Sequence, residues 1–181
     1  MIFDPFKPYR ASDYQVKFAT DAWERSQAAA LRREVFCTEQ GIFERDDRDA
    51  IDEVAIPIVA VSWMGVVADE VVGTVRIHEA EPGVWWGSRL AVHRDFRRVG
   101  ALGASLIRLA VSSAHARGCH TFYANVQPQN GLLFRRLHWR EIGEVEIEGR
   151  PHLRMQAELD YYPPFVAAER GFRSNARKIA A

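Results

Sequence analysis

Leu90-Ala-Val-His-Arg-Asp-Phe-Arg-Arg-Val-Gly-Ala-Leu-Gly103 decides how this chain folds. The stretch leaves an apolar run at Val92, crosses a charged turn holding Arg97 and Arg98, and passes Gly100 into a periodic apolar segment. Between Val99 and Arg117, Leu102, Leu106, Leu109 and Val111, with Ala110 and Ala114, suit a buried helix that Gly118 closes as C-cap. Thr121 to Val126 then reads as a strand. Strand, helix and returning strand make residues 84–126 a β-α-β unit, and such a crossover puts a parallel pair into the sheet.

Upstream, Tyr14 to Phe18 alternates like a strand. Thr20 or Asp21 can cap a helix whose apolar stripe is Ala28, Leu31 and Val35, and which Gly41 ends. Residues 44–53, rich in aspartate, glutamate and arginine, read as a solvated loop or short helix. Pro57 to Met64 and Glu70 to His78 form a hairpin through Gly65 to Asp69, and Val84 to Val92 follows the Glu81-Pro-Gly83 turn as the third strand of a meander. Downstream, a short helix from Gln129 to Leu137 leads to strands Glu141 to Ile147 and His152 to Leu159. The class is α+β.

A chain of 181 residues has room for one domain of ordinary size, expected over 1–160, with 161–181 as an extension packed on the surface or partly disordered. Its 24 basic side chains balance 24 acidic ones, so no global field draws it to nucleic acid or an anionic membrane. Cys37 and Cys119 are far apart and lack zinc-ligand spacing, which argues for core thiols rather than a disulfide or metal site. Asp4, Lys7, Arg10 and Asp13 interrupt any N-terminal apolar region, and no apolar run approaches the roughly 20 residues that span a bilayer. A soluble, cytoplasmic protein is expected.

The chemistry concentrates where strand meets long helix. Gly100 lets backbone approach a ligand closely, and the free N–H groups of the first helical turn attract an anion. Arg97 and Arg98 add planar forks suited to phosphate, so a diphosphate is the natural guest; an arginine-rich loop capped by glycine is the plain alternative.

Read whole, this passage resembles the acetyl-CoA loop of the GNAT family of N-acetyltransferases, Arg/Gln-x-x-Gly-x-Gly/Ala after a Leu-x-Val strand. Leu90, Val92, Arg97 and Gly100 match in order, while Leu102 stands where glycine or alanine is usual. A second resemblance is to the ElaA-like and YjcF-like branch of that family. It rests on Arg32-Arg-Glu-Val-Phe-Cys-Thr-Glu-Gln40, on Gln127-Pro-Gln-Asn130 and on Pro151-His-Leu-Arg-Met155. The matches run over residues 12–160.

The resemblance implies a mixed, mainly antiparallel sheet of about seven strands flanked by about four helices, with a parallel pair splayed at the acyl-CoA site. It implies acetyl-CoA as cosubstrate, no metal, a small-molecule amine as acceptor and direct attack in a ternary complex. The cofactor would lie on Leu90, Ala91, Val92, Arg97, Arg98, Val99, Gly100, Ala101, Leu102, Gly103 and Ala104, with Asn130 and Phe134 beside the pantetheine. The Val92 N–H would face the thioester oxygen.

Glu39 or His152 could hold the amine or take its proton, with a solvated helix-end charge and a core histidine as the plain alternatives. His78 and Glu79 end a strand near the same cleft or are simple edge residues. Of the adjacent Trp85 and Trp86, one ring faces each side of the sheet, one in the core and one able to wall the acceptor pocket or clamp a cation. Phe134 occupies the place of the family's proton-donating tyrosine, so water, Tyr123 or unaided departure must serve the thiolate. Two other readings stand beside N-acetyl transfer: an acyl-homoserine-lactone-synthase-like enzyme, and a non-catalytic acyl-CoA sensor. The oligomer is a monomer or a homodimer, and Tyr161, Tyr162 and Phe165 would suit a dimer contact.

Overall fold

A computed structural model describes residues 11–99 and 101–175. The elements in order are β1 (Asp13–Phe18), α1 (Ala22–Arg33), β2 (Ile56–Met64), β3 (Val67–Glu81), β4 (Val84–Val92), α2 (Leu102–His115), β5 (Thr121–Val126), α3 (Gly131–Arg136), β6 (Trp139–Ile147), β7 (Arg150–Ala157) and β8 (Phe172–Asn175). The strands form one sheet in the order β6-β7-β5-β4-β3-β2-β1-β8. Neighbours run antiparallel except β4 and β5, the parallel pair that the crossover through α2 demands. The α+β class and the mainly antiparallel sheet expected from the sequence are what the structure has.

Local chemistry explains the element ends. At the start of α1 the Asp21 N–H is held by the Glu24 carboxylate at 3.1 Å, which satisfies a donor that the helix leaves unpaired. The helix runs on through a π-helical turn, Glu34–Glu39, in which the Gln40 N–H reaches back to the Val35 carbonyl at 3.0 Å. Gly41, with φ of +58°, ends it.

Strand residues alternate between two cores. Ile58 and Ala60 join the cluster under α2 with Leu102, Leu106, Leu109 and Phe122, whereas Val59 and Val61 join the one under α1 with Ala28, Leu31 and Phe36. The two helices thus cover opposite faces of the sheet. Among the described residues no helix is long and apolar enough to cross a membrane.

Two details go beyond these expectations. The sheet has eight strands, because the chain beyond residue 160 returns to the far edge: Asp13 to Val16 of β1 pair with Asn175 to Phe172 of β8. Tyr162 is buried, its hydroxyl donating to the Leu137 carbonyl and accepting from the Trp139 indole at 3.0 Å. Phe165 packs on Phe172, which leaves Tyr161 as the exposed member of the three aromatics expected at a dimer contact. Residues 44–53 are the exposed loop and short helix expected, with one exception: Asp47 is 1% exposed and belongs to a buried ion network.

Docking of β8 depends on Gly171. Its φ is +64°, and a Cβ there would stand 1.8 Å from the Val16 carbonyl oxygen of β1, a backbone atom that cannot step aside. Gly171→Ala is therefore expected to lower stability by about 2 kcal/mol or more, or a fall in melting temperature of roughly 4–8 °C. An unchanged melting curve would show that β8 adds nothing to the fold.

Candidate functional site

The site begins with a bulge. β3 and β4 slip register between Thr74 and Arg76, and Arg89 takes φ of +56°, an uncommon value for a residue with a side chain. A bulged strand bends, and β4 bends away from β5. The two pair from Val84 opposite Thr121 to Gly87 opposite Ala124 and no further, while Asn125 and Val126 at the end of β5 pair with β7. A gap opens between residues 88–92 and the end of β5.

Backbone groups turn into that gap. The His93 N–H donates to the Val72 carbonyl at 2.8 Å, so by the alternation of an antiparallel ladder Val92, opposite Gly73, points its own N–H and C=O away from β3. The Val92 carbonyl accepts from Arg97 Nε at 2.9 Å. Three N–H groups in the first turn of α2, those of Leu102, Gly103 and Ala104, lack the partners that deeper helical residues have.

A cleft of about 440 Å³ passes through the gap from one face of the sheet to the other. On the α2 side it is apolar, lined by Ile107, Ala110, Phe122, Ala124, Phe134 and Trp139. On the α1 side it meets Gln40, Asp49, Arg76, His78, Trp86, Arg89 and His152.

The α1 side is built on paired charges. Arg32 bonds Asp47 at 2.7 Å and Asp52 at 2.6 Å, Arg76 bonds both oxygens of Asp49 at 2.7 and 2.8 Å and Asp52 at 2.7 Å, and Arg89 reaches Asp47 at 3.0 Å and Asp49 at 3.2 Å. Arg89 also donates to the Asp47 carbonyl at 2.9 Å, fastening the bulge to the 47–52 segment. The hydrogen bond from Arg76 holds Asp49 below the usual carboxylate range. Burial alone would raise Asp52, but hydrogen bonds from Arg32 and Arg76 outweigh it and hold Asp52 well below that range.

Two histidines face the cleft from different strands. His152 is buried, and the bond of its Nδ1 to the Arg150 carbonyl at 3.0 Å requires the proton on Nδ1, leaving Nε2 free to accept. His78 stands across the ladder from Trp86, and its Nδ1 is buried with no partner. Burial, helped by the charge of Arg76, lowers its pKa, so the ring is neutral near pH 7.

Residues 21–139, more than half of the chain, match the acetyltransferase (GNAT) family. The chain belongs to the GNAT family. No curated protein matches the sequence. Escherichia coli ElaA has a similar structure, with a TM-score of 0.66 at 20% identity over 80% of this chain and 98% of that one. A Pseudomonas aeruginosa acyl-CoA N-acyltransferase gives 0.63 at 18%, over 80% and 98% of the respective chains. BjaI, a CoA-dependent acyl-homoserine lactone synthase with SAM and isopentyl-CoA, gives 0.60 at 18%, over 79% and 82%. At these identities the likeness is one of fold.

In this GNAT protein the residues singled out from sequence fall into distinct places. Leu90 lines the cleft, Ala91 is buried under α1, and Arg98 is exposed. Val99 packs on the α2 core, Ala101 adopts φ of +49°, and Gly100 lies outside the described residues. Leu102 is buried with its side chain in the core, so the bulk that departs from the family pattern points away from the N–H groups of the turn. Arg97 does not stand free: its Nη2 is 2.6 Å from Glu39, so the proposed phosphate ligand and the proposed amine holder are one ion pair. Trp85 lies in the core, and of the two tryptophans Trp86 lines the cleft. Asn130 lines the cleft and makes no capping bond to α3, while Phe134 packs edge-on against Trp139 at 5.0 Å.

The Arg32 to Gln40 motif is spent on construction. Arg32 holds the acidic segment, Val35 and Phe36 fill the core, Glu39 takes Arg97, and Gln40 accepts from Gln127 Nε2 at 2.9 Å, linking the end of α1 to the end of β5. Sequence reading missed Arg76 and Arg89. The signal for Arg76 was present: an arginine inside Val71-Val-Gly-Thr-Val-Arg-Ile77, a run apolar enough to be buried, must find carboxylates.

Proposed function

We propose that this GNAT protein moves an acetyl group from acetyl-CoA to the primary amine of a small molecule by direct attack in a ternary complex. The observation that carries the reading is the β4–β5 gap, with Val92 turned into it beside the unpaired N–H groups that start α2. Pantetheine pairs with the backbone of residues 90–92, and its diphosphate takes the N–H groups of Leu102, Gly103 and Ala104. With one guanidinium nitrogen on Glu39 and another on Val92, Arg97 positions the turn and leaves Arg98 as the freer fork.

In the reaction the amine lone pair bonds to the acetyl carbonyl carbon, whose oxygen gathers charge against the Val92 N–H. The C–S bond then breaks with its electron pair on sulfur. The amine proton leaves to a base, and the thiolate takes a proton from water entering the cleft.

Glu39, His152 and His78 are the candidate bases. Glu39 is bonded to Arg97, which favours a positioning role. His152 keeps Nε2 open, but we assign the proton to His78, whose ring lines the cleft opposite Trp86 and is neutral. His78→Gln is expected to lower kcat by about 10²–10⁴ without changing the Kd for acetyl-CoA. A full-rate variant would return the role to His152.

The test is thiol release from acetyl-CoA by the purified protein with a panel of small primary amines, and mass spectrometry of the acylated product. An acetylated amine supports the reading. Tight acetyl-CoA binding with no thiol released by any amine would make the protein a sensor. The fold likeness to BjaI favours a second reading, acyl-homoserine lactone synthesis, which predicts a lactone product when S-adenosylmethionine is the acceptor. A cytoplasmic location, where acetyl-CoA is at hand, and a monomer or homodimer complete the proposal.

A further inference from the structure

We propose that the acceptor is an amine that also carries a carboxylate, of the amino-acid type, and that Arg154 at the mouth of the cleft receives that carboxylate. The inference rests on the acyl-transfer reading above and concerns the same site.

Charge around the cleft leads to it. Among the described residues Asp49 is the one acidic side chain lining the cleft, and it is bonded by Arg76 and Arg89. An ammonium group entering from the α1 side therefore meets no free carboxylate. Trp86 offers a cation nothing either, because its ring already carries Arg154 at 5.6 Å and has Tyr123 against it at 5.1 Å. An acceptor held by its positive charge has no seat here.

A negative group does have one. Arg154 is exposed, has no carboxylate partner among the described residues, and is held through Nε to Asn125 Oδ1 at 3.4 Å. Its two terminal nitrogens are unpartnered, and together they form the edge of the guanidinium that matches a carboxylate. Asn125 and Trp86, the two residues that orient Arg154, both line the cleft. Arg150, four residues back on β7, is turned instead towards the end of α1, where its Nη2 is given to the carbonyls of Gln40 and Gly41. The carboxylate on Arg154 would leave the amine pointing inward, towards His78 and the gap.

Matched pairs test this by calorimetric titration into the protein saturated with CoA: L-phenylalanine against 2-phenylethylamine, L-lysine against 1,5-diaminopentane, and L-tryptophan against tryptamine. The carboxylated member of at least one pair is expected to bind on the order of ten to a hundred times more tightly. Arg154→Glu is expected to abolish that preference, and Arg154→Lys, which keeps the charge without the fork, to retain part of it. Both variants should bind acetyl-CoA as the parent does. Equal or tighter binding of the decarboxylated members, no binding of any carboxylated member, or a preference that survives Arg154→Glu overturns the inference and leaves acyl transfer standing. Failure of CoA itself to bind removes both.

Discussion

Gly103→Asp is expected to weaken acetyl-CoA binding about a hundredfold while leaving the fold as stable as before. Gly103 is the second residue of α2, and a Cβ built there meets only Leu133 Cδ2 at 3.8 Å, an ordinary contact. The new carboxylate would lie in the first turn of a fourteen-residue helix whose N-terminus carries partial positive charge, so folding gains a few tenths of a kcal/mol rather than losing. For a bound diphosphate the sign reverses. A fixed negative charge about 5 Å from a phosphate, at an effective dielectric of about 20, costs about 3 kcal/mol, roughly a hundredfold in Kd. Gly103→Ala is the control and should bind as the parent does. Calorimetry with acetyl-CoA reads the binding and thermal melting reads the fold; parental affinity in the aspartate variant would remove the α2 N-terminus from the cofactor site.

The second large effect belongs to Arg76. Its side chain is 3% exposed and holds Asp49, Asp52 and the Ser88 hydroxyl, which it reaches at 2.9 Å. Arg76→Ala removes a donor shared by two carboxylates: Asp52, 14% exposed, is left with Arg32 and the Asp49 N–H, while Asp49 at 37% keeps Arg89 and the Ile51 N–H and can turn to water. Breaking a buried pair from one side costs about 3–5 kcal/mol, and the partial solvation of Asp49 puts the expected loss near about 3 kcal/mol. That is a fall in melting temperature of roughly 6–12 °C.

The deficit should depend on pH in a defined sense. Asp49 and Asp52 have folded-state pKa values below the ordinary carboxylate value, so the stability they contribute is present above that value and is lost as pH falls through the folded one. Parent and variant should therefore differ fully at pH 6 and converge in strong acid. A variant that melts with the parent at neutral pH would show that the network carries no energetic weight.

Much of the fold was legible because its signals are local. The alternation from Tyr14 to Phe18, the helical stripe of Leu102, Leu106 and Leu109, and Gly41 and Gly118 at helix ends are set by side-chain periodicity and by φ, which neighbours in sequence determine. Leu90 to Gly103 likewise announced strand, turn and helix, and with them the parallel pair that makes the gap. What escaped was long-range. Residues 172–175 carry too short a pattern to read as a strand, and they become one because β1 has a free edge for them. Asp47 looks like any loop aspartate until Arg32 and Arg89, distant in sequence, close on it.

The site divides along the same line. By itself the sequence determined the order of strands and long helices up to β7, the α+β class, the turn with its row of helix-start N–H groups, and which residue types stand near them, because each is encoded within a few turns of chain. Only the tertiary structure decided that Arg97 is held by Glu39, that Trp86 and not Trp85 faces the cleft, that Leu102 turns into the core, and that the bulge at Arg89 is pinned to the 47–52 segment. Each depends on which distant groups meet, and buried charges find their partners through the packing of the whole sheet, not through their spacing in the chain.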